Sequence, residues 1–426
     1  MARGLAYADR AYPYLLNVPA GRMSANSREP LEFLAFAQRR YPDATAEDFL
    51  PRSLYGEYLE ASLLTAEISS PPHVRLDRVR GEVSSIERVA ATSPYRIHLS
   101  DGHTLTADEV VLASGNPPPA RLPGTEALYG LPQYVEDPWH DPPAFRAGET
   151  VLVVGTGLTM ADVILNGTRT AQDQVVLHAI SRHGFIPPSQ TAFKQTAASG
   201  DSGKLLRAAS FSARHLIRAV RELADEMQAQ GGDWREAITF VRSLAPALWG
   251  RLPTRERRRF LRHARAHWDV HRHRLPQQTL AELNQLRLRE KLHVHAGRLL
   301  ELEPLGERVR VTWRPRGEHR PRILIVDRVI NCTGPDYNPW RSRDPLMRSL
   351  LSQNLAVADP LGLGLRTGQH GALIDSRGRS SNGLYYVGPL LRADHWESTA
   401  AQELRGHAER LAHHLAAPAV RQVVRA

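Results

Sequence analysis

Residues 151–162 read VLVVGTGLTMAD, and no other segment constrains the fold as tightly. An apolar strand runs into Gly155, Thr156 and Gly157 and then into a helix that starts near Leu158 and Thr159, which is the entry to a βαβ unit. The first glycine permits a tight turn and the second lets the backbone approach a pyrophosphate, while the helix N-terminus offers free N–H groups. A diphosphate is the expected ligand. The third fingerprint position is Met160, followed by Ala161, so a closely packed βα turn that binds nothing is the competing interpretation. Such a unit ordinarily opens a chain, whereas here it begins at residue 151 of 426.

The strand that follows, in QVVLHAISRHG, ends at Ser181, Arg182 and His183 where an NAD site carries an acid for the ribose hydroxyls. Arg182 suits a 2′-phosphate, which favours NADP over NAD.

Around this unit the pattern is mixed. EPLEFLAFAQRRY and LYGEYLEASLLTAEI have helical spacing, with Leu31, Leu34 and Ala35 on one face and Leu59, Leu63 and Leu64 on another. Alternating segments with an Asp101-Gly102 turn then predict a β-meander. The prolines of NPPPARLPG forbid helix or central strand and mark a linker. Residues 191–288 carry helical runs and no strand pattern, so an all-helical insertion is expected. Strand patterns return at KLHVHAGRLLELEP, RVRVTWRP and RILIVDRVINCTG, and a long helix closes the chain.

Composition narrows the function. No uninterrupted apolar run reaches about 18 residues, and the N-terminus has no apolar signal region, so neither a membrane span nor a secretory signal is read and a cytoplasmic protein is expected. Cys332 is the sole cysteine, which excludes an internal disulfide and a Cys-x-x-Cys redox pair. The net charge of +10 suits an anionic partner, but only three of the 55 basic residues are lysines, a bias that weakens a nucleic-acid reading. His271 and His273 have no third ligand at a useful spacing, so no metal is expected.

Two segments share one shape: ADEVVLASGN, ending at Gly115, and VDRVINCTGP, ending at Gly334. Each has an acid, a short apolar strand and a glycine that permits close backbone approach. GLYYVGPLLRADHWESTAAQELR adds Gly388-Pro389 and a helix whose start fits a capping box of Thr399 with Gln402.

Together with RGLAYADRAYPYLLNVPAGRMSA, FLPRSLYGEYLEA and FLRHARAHWDVHRHRLP, these segments resemble the FAD/NAD(P)-binding flavoprotein family, related to flavin monooxygenases and pyridine-nucleotide reductases, with one branch described as FAD-dependent urate hydroxylase. The resemblance implies an α/β fold with two Rossmann-like dinucleotide-binding domains, the NAD(P)H domain inserted in the FAD domain, plus a helical subdomain. It divides the chain into residues 1–146 (first part of the FAD domain), 147–190 (start of the NAD(P)H unit), 191–290 (helical insertion), 291–320 (linking strands) and 321–426 (second part of the FAD domain). It implies FAD and NADP as cofactors, and Asn17, Arg22, Met23 and Ser24 of the NVPAGRMS loop, Gly115, Gly334, Gly388, Pro389 and Thr399 as FAD contacts. For that loop, a buried turn satisfying its own backbone is the alternative. Arg272, His273 and Trp396 are candidate contacts to a small substrate, purine or aromatic.

The implied activity is hydride transfer from NAD(P)H to flavin and hydroxylation by dioxygen; a reductase without oxygenation and a non-catalytic nucleotide-binding protein are the alternatives. In the family a first Gly-rich βαβ turn, holding the FAD diphosphate, precedes GLAY. Here Arg3 lies two residues from Met1, so the start is expected to be set too far downstream or the gene truncated.

Overall fold

The computed structural model describes residues 2–8, 14–90, 93–171, 174–190 and 200–417. The strand Thr150–Val154 lies inside a seven-stranded sheet. Parallel neighbours Val176–Ser181 and then Leu292–Leu305 flank it on one side, and Arg328–Asn331 and then Tyr134–Val135 on the other. The chain moves outward from 150 to 176 to 292 and returns to the opposite side at 328. Strand order therefore reverses beside Val154, which is where doubly wound sheets take ligands at their carboxyl ends.

Burial on both faces explains the continuous apolar run. Val151 and Val153 face the helix Leu158–Thr170 through Met160 and Ile164, while Leu152 and Val154 face Val309, Val311 and Val329. Leu292–Leu305 continues past the parallel ladder into an antiparallel meander with Arg308–Pro315 and Arg322–Val326.

The second body is built from both ends of the chain. Val110–Leu112 pairs in parallel with Ser380–Tyr386, which pairs antiparallel with Ala372–Ile374. Among the described residues no strand joins the other edge of Val110–Leu112. The expected meander is present as Val83–Glu87, Tyr95–Leu99 and Thr104–Ala107. Between the bodies the chain crosses twice, side by side: Pro119 bridges Pro335, and the Asp336 amide donates to the Pro118 carbonyl over 3.0 Å.

Six helices between Ser202–Phe211 and Arg265–Arg272 form a subdomain around Leu205, Leu223, Ala237, Leu248 and Trp249. Its expected first residues, 191–199, lie outside the described residues.

Several expectations need correction. The insertion does not run to residue 290: Gln277–Leu288 buries Leu283 and Leu286 against Val163 and Ile164, covering the large sheet, and the short pairing of Ser189–Gln190 with Leu275–Pro276 marks where the subdomain ends. The boundary at 321 also moves, because Arg322–Val326 and Arg328–Asn331 belong to the large sheet. Near the N-terminus, Glu32–Gln38 buries Phe33, Leu34 and Ala37 and leaves Leu31 exposed, and Arg52–Ile68 buries Leu54, Tyr55 and Tyr58 and leaves Leu64 exposed. Phe33, Tyr55 and Tyr58 pack edge-on and tilted with ring centres 5.1–5.7 Å apart, a larger apolar contribution than the aliphatic stripe.

Candidate functional site

The turn at Gly155–Gly157 leaves open backbone at the start of a helix. Gly155 has φ +115°, and a Cβ there would overlap the Cys332 carbonyl at the reversal of strand order, so only glycine fits. Gly157 is the N-cap of Leu158–Thr170, and a Cβ on it would meet nothing within 4 Å. No side chain caps this helix, which leaves its first amides available. These features fit the pyrophosphate of a nicotinamide dinucleotide.

Thr156 has a supporting role: its hydroxyl donates to the Phe185 carbonyl over 2.5 Å and lies 2.9 Å from the Ser181 hydroxyl, fixing the loop that carries Arg182. Arg182 is exposed just past the second strand. Nearby, Arg316 donates to the His183 ring over 2.7 Å, and burial with the adjacent cations lowers the His183 pKa. Leu158 packs on the sheet core and Thr159 is half-buried.

Asp162, the last residue of the opening motif, meets Arg52 at 2.9 Å. Arg52 stands on a helix of the other body and also donates to the Leu15 carbonyl over 3.0 Å. Burial raises the Asp162 pKa more than Arg52 lowers it.

The residues expected around a flavin fall into two groups. Gly115 (φ +72°) and Gly334 (φ +81°) end the two crossing segments, and nothing lies within 4 Å of a Cβ placed on either. Gly388 (φ +148°) would bring a Cβ to 2.7 Å from the Tyr386 hydroxyl, which accepts from the Leu390 amide. Gly115 and Gly334 thus leave room for a group approaching the backbone closely, whereas at Gly388 the Tyr386 ring of the protein itself fills that space. Asn17 is half-buried and Arg22 exposed.

Others are engaged in structure. Met23 is buried in the N-terminal core. The Ser24 hydroxyl donates to the Pro30 carbonyl over 2.8 Å and accepts from the Phe33 amide over 3.1 Å, fixing the start of Glu32–Gln38. Pro389 is buried, and its carbonyl accepts from Ser398 over 3.2 Å. Thr399 does not cap the last helix: Ala401–Ala416 has Ala400 at its N-cap with no side-chain hydrogen bond, and Gln402 donates to the Arg22 carbonyl over 3.4 Å instead of closing a capping box.

At the far side of the junction, Trp396 is 5 % exposed and adopts φ +58°, rare for a bulky side chain. Trp249 stacks on it with ring centres 4.6 Å apart, Phe260 meets it edge-on and Arg392 lies over it, so it belongs to the core between subdomain and C-terminal segment. Arg272 and His273 lie against the same C-terminal segment. Arg272 pairs with Glu397, which also accepts from the Trp268 indole over 2.8 Å. Arg272 donates to the His273 ring, whose pKa burial and surrounding arginines push well below its usual value, so the imidazole is neutral. Arg274, Arg392 and Glu397 were not singled out by the sequence; only the arginine-rich composition of WDVHRHRLP pointed near them.

Among the described residues no three His, Cys, Asp or Glu side chains are grouped to hold a metal ion, and no helix is long and apolar enough to cross a membrane. Cys332 is buried.

Residues 1–117 match the family model described as FAD-NAD(P)-binding. No curated protein matches the chain. Among solved structures, ornithine hydroxylase (PvdA) from Pseudomonas aeruginosa is 15 % identical with a TM-score of 0.59, covering 97 % of this chain and 88 % of that one. L-lysine 6-monooxygenase from Pseudomonas syringae is 17 % identical with a TM-score of 0.60, over 97 % and 87 %. DfoA, the FAD-bound cadaverine monooxygenase from Erwinia amylovora, is 13 % identical with a TM-score of 0.62, over 98 % and 86 %. Residues 1–117 are thus similar to a FAD-NAD(P)-binding segment, and the chain shares its fold with the ornithine, lysine and cadaverine monooxygenases.

Proposed function

We propose that this chain is a FAD-dependent oxidoreductase that takes hydride from NADPH and hydroxylates a small substrate. The observation that carries the reading is the Gly155–Gly157 turn at the reversal of strand order, with an uncapped helix N-terminus on one side and Arg182 on the other. The helix amides and Gly157 hold the dinucleotide diphosphate, and Arg182 selects the 2′-phosphate. Gly115 and Gly334, which end the two crossing segments, give the flavin close backbone approach. Flavin supplies the hydride acceptance and dioxygen chemistry. The chain's part is to position two rings and a substrate and to exclude water, so no nucleophile–base set or metal is required. The substrate side is formed by the helical subdomain and the segment after Gly388, where Arg272 and neutral His273 lie. Relatives of this fold include enzymes named for ornithine, lysine and cadaverine, which supports hydroxylation of a small molecule.

The test uses purified protein with added FAD. Flavin absorbance and NADPH oxidation faster than NADH oxidation are expected. A colourless preparation that leaves NADPH unoxidised in the presence of FAD overturns the enzyme reading. Turnover with full release of peroxide and no hydroxylated product, across candidate substrates, replaces it with a reductase or oxidase.

A further inference from the structure

The junction between the helical subdomain and the C-terminal segment holds more positive charge than the protein neutralises. Arg272, Arg265 and Arg392 gather around His273 and Asp269, and Arg274 joins them through its neighbours Arg235 and Arg242. The carboxylates facing them are fewer. Arg242 forms a two-bond pair with Glu403 at 2.6 Å, Arg235 lies 2.7 Å from Asp233, and Glu397 takes Arg272. That leaves Arg392 at 3.9 Å from Asp269, which Arg265 already holds at 3.2 Å, and among the described residues leaves Arg274 with the Trp234 ring, 6.0 Å away, and the field of Asp233, which already pairs with Arg235.

The donors that remain are buried. Arg274 is 8 % exposed, and among the described residues its Nε and Nη1 have no hydrogen-bond partner; the same holds for Arg272 Nη2 and Arg392 Nε. Proteins rarely leave guanidinium N–H groups buried and unpaired, because each has lost its water without replacement. The donor set is also fixed in direction. Neutral His273 accepts from Arg272, Glu397 accepts from Trp268, and Trp396 and Tyr337 lie under Arg392 at 4.2 and 5.2 Å. Burial among like charges lowers the Arg274 pKa to about 10, which still leaves it charged near neutrality.

We propose that Arg272, Arg274 and Arg392 form an oxyanion clamp, and that the substrate carries a carboxylate or phosphate group which this clamp grips. Planar guanidinium forks offer paired donors to either group. The proposal rests on the oxidoreductase reading for the word substrate, but the clamp stands on its own geometry.

The experiment is calorimetric titration of the full chain with inorganic phosphate and, separately, with succinate, at constant ionic strength, with and without FAD. Saturable binding is expected, weakened about tenfold or more by Arg274→Gln and by Arg392→Gln. Arg214→Gln, on an exposed helix face outside the cluster, leaves it unchanged. Should Arg274→Gln not fold, Arg274→Lys keeps the charge and loses the fork, and weaker binding is again expected. Absence of saturable binding, or equal binding by all variants, overturns the clamp. Loss of phosphate binding when FAD is added assigns the donors to the cofactor's diphosphate and overturns the substrate assignment. Retained anion binding in a protein that never oxidises NADPH upholds the clamp while removing the oxidoreductase reading.

Discussion

Arg52 and Asp162 join the two halves of the molecule: a guanidinium from the N-terminal body lies 2.9 Å from a carboxylate on the helix that follows the Gly-x-Gly turn. Both side chains are largely buried, at 14 % and 12 % exposure, so each depends on the other.

Removing one partner strands the other. Arg52→Met is expected to cost about 3–5 kcal/mol, whereas Arg52→Met with Asp162→Leu recovers most of the loss, because a buried apolar pair carries no desolvation penalty. Burial already raises the Asp162 pKa, and losing Arg52 raises it further. The single variant is therefore least impaired at acid pH and loses stability as pH rises through that folded-state pKa. Urea denaturation of the four proteins of the cycle, at pH 5 and pH 8, checks both statements.

Gly155→Ala forces a β-carbon into the Cys332 carbonyl at a φ of +115°. Strain on the order of 1–3 kcal/mol is expected from the dihedral alone, with loss of dinucleotide binding beyond it. Thermal melting and NADPH titration measure the two effects separately.

Arg182 stands exposed beside the turn. Arg182→Ser is expected to weaken NADPH binding by roughly 10- to 100-fold, an energy of about 1.4–2.7 kcal/mol, and to leave NADH within about twofold. Equal losses for both nucleotides would remove the 2′-phosphate role.

His178 and His295 face each other across parallel strands, ring nitrogens 3.0 Å apart, with His293 stacked on His178. Burial and then the two neighbouring rings lower the His178 pKa to about 4. The folded state thus prefers neutral imidazole, so this contribution to stability is complete above about 6.5 and falls away as pH drops towards 4. His178→Asn is expected to flatten that acid limb by about 1 kcal/mol, a figure discounted because the ring is partly exposed to solvent. The slope of unfolding free energy between pH 4 and 7 is the measurement.

What the sequence disclosed was local. The Gly-x-Gly turn is legible because one strand, two glycines and one helix start lie within a dozen residues. The domain limits were not: VINC is equally apolar in either sheet, and Gln277–Leu288 has the same periodicity whether it covers the helical core or the sheet. Aliphatic spacing misplaced the faces of the first two helices because Phe33, Tyr55 and Tyr58 contribute more buried surface than Leu31 or Leu64. The capping box failed because Thr399 and Gln402 satisfy the pattern while the helix begins later, at Ala401. The arginine cluster was legible only at WDVHRHR, since Arg392 and Glu397 come to it over more than a hundred intervening residues and no periodicity encodes such a meeting.

The paired crossings at Pro119 and Pro335 have a mechanical meaning. The inserted body enters and leaves side by side there, and away from that neck it is tied to the rest of the chain by the Arg52–Asp162 pair and by the Trp249–Trp396 and Arg272–Glu397 contacts, so its placement is fixed at separate points and not by the crossings alone.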